Sequence, residues 1–122
     1  MPTVSRFEDL EVWKDAQLLA VEVYRLAGQG KFSEDFTAQD QIRKSVLSIS
    51  SYIAEGFTYG NQMEFAKHLQ HARVACAQLG NQAHLNQRIG YLDEAQLEGL
   101  LSQIEGLSKK LAGTIEYLRQ AN

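Results

Sequence analysis

Glu64, His68 and His71 stand at i, i+4 and i+7, a spacing that turns all three side chains toward one face of an α-helix. A carboxylate and two imidazoles on one face are donors that zinc or iron takes. The set is one ligand short of a closed zinc site. It also lacks the Glu-x-x-His pair that di-iron bundles draw from their helices. An exposed polar stripe is the competing reading, and no cofactor is expected.

Glu55 is the second chemical candidate, at the end of the segment "SISSYIAEGF". At about 100° per residue it falls with Lys44, Ser48 and Ser51, away from the apolar residues of the same helix. A lone carboxylate with no partner acid, base or nucleophile at a defined spacing is a poor catalyst. Glu55 therefore reads as structural, and its neighbour Gly56 as a point of close backbone approach or helix termination. Cys76 continues an apolar seam and reads as a small hydrophobe. The sequence has no phosphate-binding glycine loop and no nucleophile elbow. No catalytic residue is assigned, and the chain is expected not to be an enzyme.

Arg43, Lys44 and Arg73 are the candidates for contacting nucleic-acid phosphates, should assembly line them up. Against that, twelve Lys and Arg face fifteen Asp and Glu, a net charge of −3. No aromatic stacking platform with dense basic neighbours is visible in the sequence.

The elements that carry these residues are legible. A length of 122 residues fits one domain, 1–122, with a core that needs neither disulfide nor metal. The single cysteine and the absence of a leader-like or membrane-length apolar run lead us to expect a cytoplasmic protein with no membrane partner. The only proline is Pro2, which leaves the chain free for long helices. Ser5 and Glu8 have capping-box spacing and predict the first helix start; Leu10, Trp13, Ala16, Ala20, Val23 and Ala27 form its stripe up to "GQG". Thr37 is expected to begin a second helix, with Asp40 in its first turn. Its seam is Ile42, Val46, Ile49, Ile53 and Gly56, widened by Leu47, Ser50, Ala54 and Phe57. A third helix opens at Asn61 and Glu64 and carries Phe65, Leu69, Ala72, Cys76, Leu79 and Ala83 to a stop at Gly90. Asp93 with Gln96, and Leu92 with Leu97, mark the fourth start. Its stripe is Leu97, Leu101, Ile104, Leu111, Ile115 and Leu118. Tyr24, Trp13 and Phe65 read as core or interface aromatics.

Four amphipathic helices with short connections bury their stripes together as an all-α, antiparallel up-down-up-down four-helix bundle. Gly99, Gly106 and Gly113 recur every seven residues behind the leucine stripe of the fourth helix. Each costs a helix about 1 kcal/mol relative to alanine, so a helix from another subunit approaching there would explain them. Tolerated glycines on a polar face are the alternative.

The segments "FEDLEVWKDA", "QIRKSVLSISSYIAEG", "EFAKHLQHAR" and "IGYL", in this order, closely resemble the four-helix-bundle proteins often encoded in intervening sequences of bacterial 23S ribosomal RNA genes. The resemblance implies a compact bundle that associates into a ring, with a homopentamer as the expected assembly. A related branch, the accessory proteins of diversity-generating retroelements, is basic, works with a reverse transcriptase and binds nucleic acid. Two expectations follow. The leading one is a non-catalytic homo-oligomeric interaction or scaffold protein that meets any protein partner through its surface; the alternative is a nucleic-acid-associated accessory protein that binds RNA, DNA or a reverse transcriptase.

Overall fold

The computed structural model describes residues 4–120. Four helices follow one another: α1 (Glu11–Ala27), α2 (Phe36–Thr58), α3 (Gln62–Arg88) and α4 (Glu94–Gln120). Short 3-10 turns at Phe7–Asp9 and Gly30–Glu34 precede α1 and α2. Among the described residues there is no strand. Each helix packs on its two neighbours in the order α1, α2, α3, α4 and back to α1, with no diagonal contact, which is the cross-section of an up-down-up-down bundle.

The seams follow the apolar spacing. On α2, Ile42, Val46, Ile49, Ile53 and Gly56 are all buried; on α3, so are Phe65, Leu69, Ala72, Cys76, Leu79 and Ala83. Each large aliphatic side chain taken fully from water contributes roughly 1.5–3 kcal/mol. The stripe of α4 is broader than its sequence reading. Leu100 and Leu107 are buried and Leu101 only half-buried, because α4 must cover both α3 and α1. Leu47, expected to widen the buried arc of α2, is instead exposed.

The helix starts divide by the range of their interactions. At α4, Gln96 N–H donates to Asp93 Oδ1 at 2.7 Å while Asp93 N–H donates to Gln96 Oε1 at 2.9 Å, the reciprocal capping box its spacing predicts. Asn61 Oδ1 accepts from the backbone N–H groups of Met63 and Glu64 at the start of α3. The other two starts lie elsewhere than expected. Ser5 caps nothing: Phe7 turns inward onto Trp13 in an edge-to-face contact at 5.4 Å, and α1 begins only after an extended Leu10. The cap of α2 is Asp35 rather than Thr37. Its Oδ1 accepts from Ala38 N–H at 3.0 Å, and its Oδ2 accepts from Tyr91 O–H at 2.7 Å.

That Tyr91–Asp35 bond ties the α3–α4 connection to the start of α2, and Tyr91 also stacks on the buried Phe32. The Ala38 N–H, then Tyr91, hold the Asp35 carboxyl below its ordinary pKa, while Asp35 raises that of Tyr91. Gly60 and Gly90 make the sharp connections at φ of 71° and 89°, in the left-handed region. Gly28 caps the C-terminus of α1 at φ −87°, outside the left-handed region.

The α1–α4 seam is the least closely packed of the four. Lys110 closes it from α4, donating to Glu11 Oε1 at 2.6 Å and Asp15 Oδ2 at 2.7 Å. These bonds, to Asp15 first and Glu11 second, raise the lysine's pKa well above its usual range.

Candidate functional site

The first half of α3 packs against the second half of α2, and this seam holds most of the chemical candidates. Gly56 makes the approach possible. A Cβ at Gly56 would lie 2.5 Å from His68 Cβ and 3.2 Å from Phe65 Cδ1, closer than carbon atoms pack. Gly56 is thus a point of helix contact, with the helix continuing past it to Thr58. Glu55 points the other way, exposed beside Ser51 and Thr58, with no catalytic partner near it among the described residues.

Pressed into that contact, His68 has Nδ1 2.8 Å from the Glu64 carbonyl oxygen. A carbonyl only accepts, so Nδ1 is the donor in this contact. Glu64, His68 and His71 do not come together as a ligand set. Among the described residues no three His, Cys, Asp or Glu side chains converge in a way that could hold a metal ion. The two imidazoles instead join a row of rings: Tyr52 stacks on His71 at 5.4 Å, His71 lies 6.2 Å from His68, and His68 lies 5.1 Å from Tyr59. Tyr52 comes from α2, Tyr59 is the residue that caps its C-terminus, and both imidazoles come from α3. The sequence could not display this row, because it depends on the register between the two helices. Lys67 and Arg119 line a cleft of about 340 Å³ beside it, with Glu64, Gln70 and His71.

The three cations expected to contact nucleic acid do not share one surface of the chain. The Arg43 guanidinium lies 5.0 Å from the Tyr24 ring centroid, on the α1 side of α2. Lys44 pairs with Asp40 at 3.0 Å. Arg73 lies on the α4 side of α3, in a shallow groove with Val74, Ala77, Leu101 and Glu105. Its Nε is buried without a hydrogen-bond partner. Cys76 is buried beneath that groove, and burial, opposed by the charge of Arg73, pushes its thiol pKa up to about 11. A thiol held neutral in this way is a poor nucleophile.

Two surfaces remain without a partner in the chain. Gly99, Gly106 and Gly113 are exposed along α4, and a Cβ at any of them would meet nothing within 4 Å. Packing within the chain therefore gives no reason for glycine there. On the opposite pair of helices, α1 exposes Leu18 (63%), Val21 (65%) and Tyr24, and α2 exposes Leu47. Sequence spacing missed Leu18 and Val21, which lie outside the core stripe of α1, and placed Leu47 in the buried arc of α2; Tyr24 alone was open to an interface reading.

The fold defines a protein class: an all-α four-helix bundle built on helix seams rather than around a pocket. The chain belongs to the family described as 23S rRNA-intervening sequence protein, whose model matches residues 8–113. It is also similar in structure to a protein of unknown function from the S23 ribosomal protein family of Bacteroides thetaiotaomicron VPI-5482. The TM-score is 0.76 at 21% sequence identity, over 85% of this chain and 97% of that one. This likeness extends to the fold. No curated protein matches the chain. No helix among the described residues is long and apolar enough to cross a membrane.

Proposed function

We propose that the protein is a non-catalytic, cytoplasmic, homo-oligomeric scaffold whose surface, rather than a pocket, carries its specificity. The exposed ridge of Leu18, Val21, Tyr24 and Leu47 carries this reading. Single apolar residues are common on any surface, but neighbouring ones on adjacent helices are the kind of patch that a partner covers. The glycine face of α4 offers a second place where a helix can approach closely, and a ring, a homopentamer in the family pattern, is the assembly we favour. Light scattering on the purified protein tests this. An assembly that falls apart in Leu18→Glu/Val21→Glu supports the reading, whereas a monomer at all concentrations overturns it.

A second reading, an accessory protein that binds RNA, DNA or a reverse transcriptase, is favoured by one observation. The row Tyr52, His71, His68, Tyr59 has Lys67 and Arg119 beside it, which combines ring faces and positive charge as single-stranded nucleic acid requires. Binding that weakens steeply with salt and is lost in Lys67→Glu/Arg119→Glu would support it. An absence of RNA and DNA binding at low salt would end it.

A further inference from the structure

Of the twelve Lys and Arg side chains, ten are exposed and two, Arg43 and Arg73, are half-buried. An exposed cation keeps its hydration and needs no partner, whereas one partly withdrawn from water needs a compensating group. In both half-buried arginines Nε is sealed from water without an acceptor. Arg43 has compensation in the Tyr24 ring that its guanidinium covers. Arg73 has none: among the described residues it makes no ion pair, hydrogen bond or ring contact.

The groove that Arg73 lines, between α3 and α4, has a volume of about 530 Å³. Small-molecule sites span roughly 300–1,000 Å³. The register of the two antiparallel helices gives the groove a polarity. A Cβ at Gly80 would lie 3.8 Å from Leu101 Cδ2, so these two positions face each other. From there α3 runs back through Ala77 and Val74 to Arg73 and Gln70, while α4 runs forward through Ile104 to Glu105 and Ser108. One end is thus apolar, and the other holds the guanidinium, an amide and a hydroxyl. The apolar end is open to solvent: Val74 is 52% exposed, Ala77 is exposed and Leu101 is half-buried. At 1.5 Å per residue, the stretch of α3 along the groove is about 10 Å long. Glu105, the acid that lines the groove, is already paired with Lys109 at 3.1 Å and leaves Arg73 uncompensated.

We propose that this groove binds a small amphiphile, an aliphatic chain ending in a carboxylate, with the carboxylate on Arg73 and the chain along Val74, Ala77 and Leu101. The Nη groups of Arg73 are neither sealed from water nor bonded within the chain among the described residues. Its end-on fork is therefore free for the two oxygens of a carboxylate. Because the Nε side of the guanidinium is already dehydrated, water screens an anion there less than it would beside an exposed lysine. Gln70 and Ser108, whose side chains make no hydrogen bond among the described residues, stand at the same end as further donors. A nucleic-acid strand suits the groove poorly, since its row of phosphates would meet one unpaired cation and then an apolar floor. A stable protein interface engages roughly 20–30 residues a side. This groove offers nine, the scale of a small ligand.

The site does not depend on the homo-oligomer reading. Titration calorimetry on the full chain tests it with decanoate, kept below the concentration at which it forms micelles. One decanoate per chain should bind. Decanol, with the chain and no charge, and acetate, with the charge and no chain, should each bind at least about tenfold more weakly. Arg73→Met should weaken decanoate by at least about tenfold and leave decanol unchanged, and Arg73→Lys should restore part of the loss, keeping the charge without the fork. Ala77→Glu sets a carboxylate one turn from Arg73 on the same helical face, where it occupies the guanidinium and should also abolish decanoate binding. Arg73→Met removes an uncompensated half-buried charge, so it should melt no lower than wild type, which separates lost binding from lost fold. Equal decanoate affinity in Arg73→Met, decanol bound as tightly as decanoate, or no binding up to about 1 mM decanoate would overturn the proposal. A wild type that binds no decanoate, with a mass by light scattering that falls in Arg73→Met, would overturn it in favour of a second copy covering the groove.

Discussion

Replacing Gly56 and Gly106 with alanine makes the same chemical change in two helices and should move stability in opposite directions. A helix-interior glycine replaced by alanine gains about 1 kcal/mol from backbone preference alone. At Gly106 nothing lies within 4 Å of the new methyl, so that gain stands. At Gly56 the methyl would sit 2.5 Å from His68 Cβ, an atom fixed to the backbone of α3 that no rotamer change can withdraw. Packed carbons lie about 3.5–4.0 Å apart, so α2 and α3 must separate by about an ångström. Overpacking of this kind costs roughly 1–3 kcal/mol, and the fixed position of Cβ places this site near the top of that range. The net is a loss of about 1–2 kcal/mol once the helix gain is subtracted. For a domain of this size that lowers Tm by roughly 3–6 °C per kcal/mol. Urea melts followed by circular dichroism at low protein concentration measure both variants. Adding His68→Gly to Gly56→Ala removes the opposing Cβ and should recover stability beyond additivity. A Gly56→Ala protein as stable as Gly106→Ala, or an additive double variant, would refute the reasoning.

The capping carboxylate gives a dependence on pH. The folded pKa of Asp35 is lowered, so its contribution is present above its unfolded pKa and lost as pH falls through the folded value. Asp35→Ala should therefore lower Tm at pH 7 and have much less effect near pH 2. The raised pKa of Tyr91 has the opposite sense: its contribution is present below its unfolded pKa and lost as pH rises through the folded one, and Tyr91→Phe should flatten that alkaline loss. Lys110→Met removes both bonds that close the α1–α4 seam, and Tm should fall in low salt with a smaller difference in about 1 M salt. Cys76, buried and raised to about 11, should react with a thiol reagent at pH 8 at least about a hundredfold more slowly than in urea-unfolded protein; equal rates would contradict its burial.

What the sequence revealed depended on the range of the interaction. The seams of α2 and α3 were readable because alternating steps of three and four residues are a local property of one helix. The caps at Asn61 and Asp93 were readable because donor and acceptor lie within three residues. The start of α1 was misplaced because Ser5 and Glu8 match a capping box while the packing of Phe7 on Trp13 decides the conformation. The start of α2 was misplaced although the Asp35–Ala38 bond is as local as those caps: Asp35 and Thr37 are both residue types that cap, and the bond that singles out Asp35 comes from Tyr91, 56 residues away. The same distinction applies to the candidate surfaces. Each helical face of α3 could be projected, but the ring row needs α2 set against it in register, and the apolar ridge needs α1 and α2 side by side.

The central claim is that this bundle works by associating with itself, and its mass in solution tests that most directly. Multi-angle light scattering on the full chain over a range of concentrations should give a stable multiple of 13.7 kDa. A particle of 13.7 kDa at every concentration and salt would contradict the account.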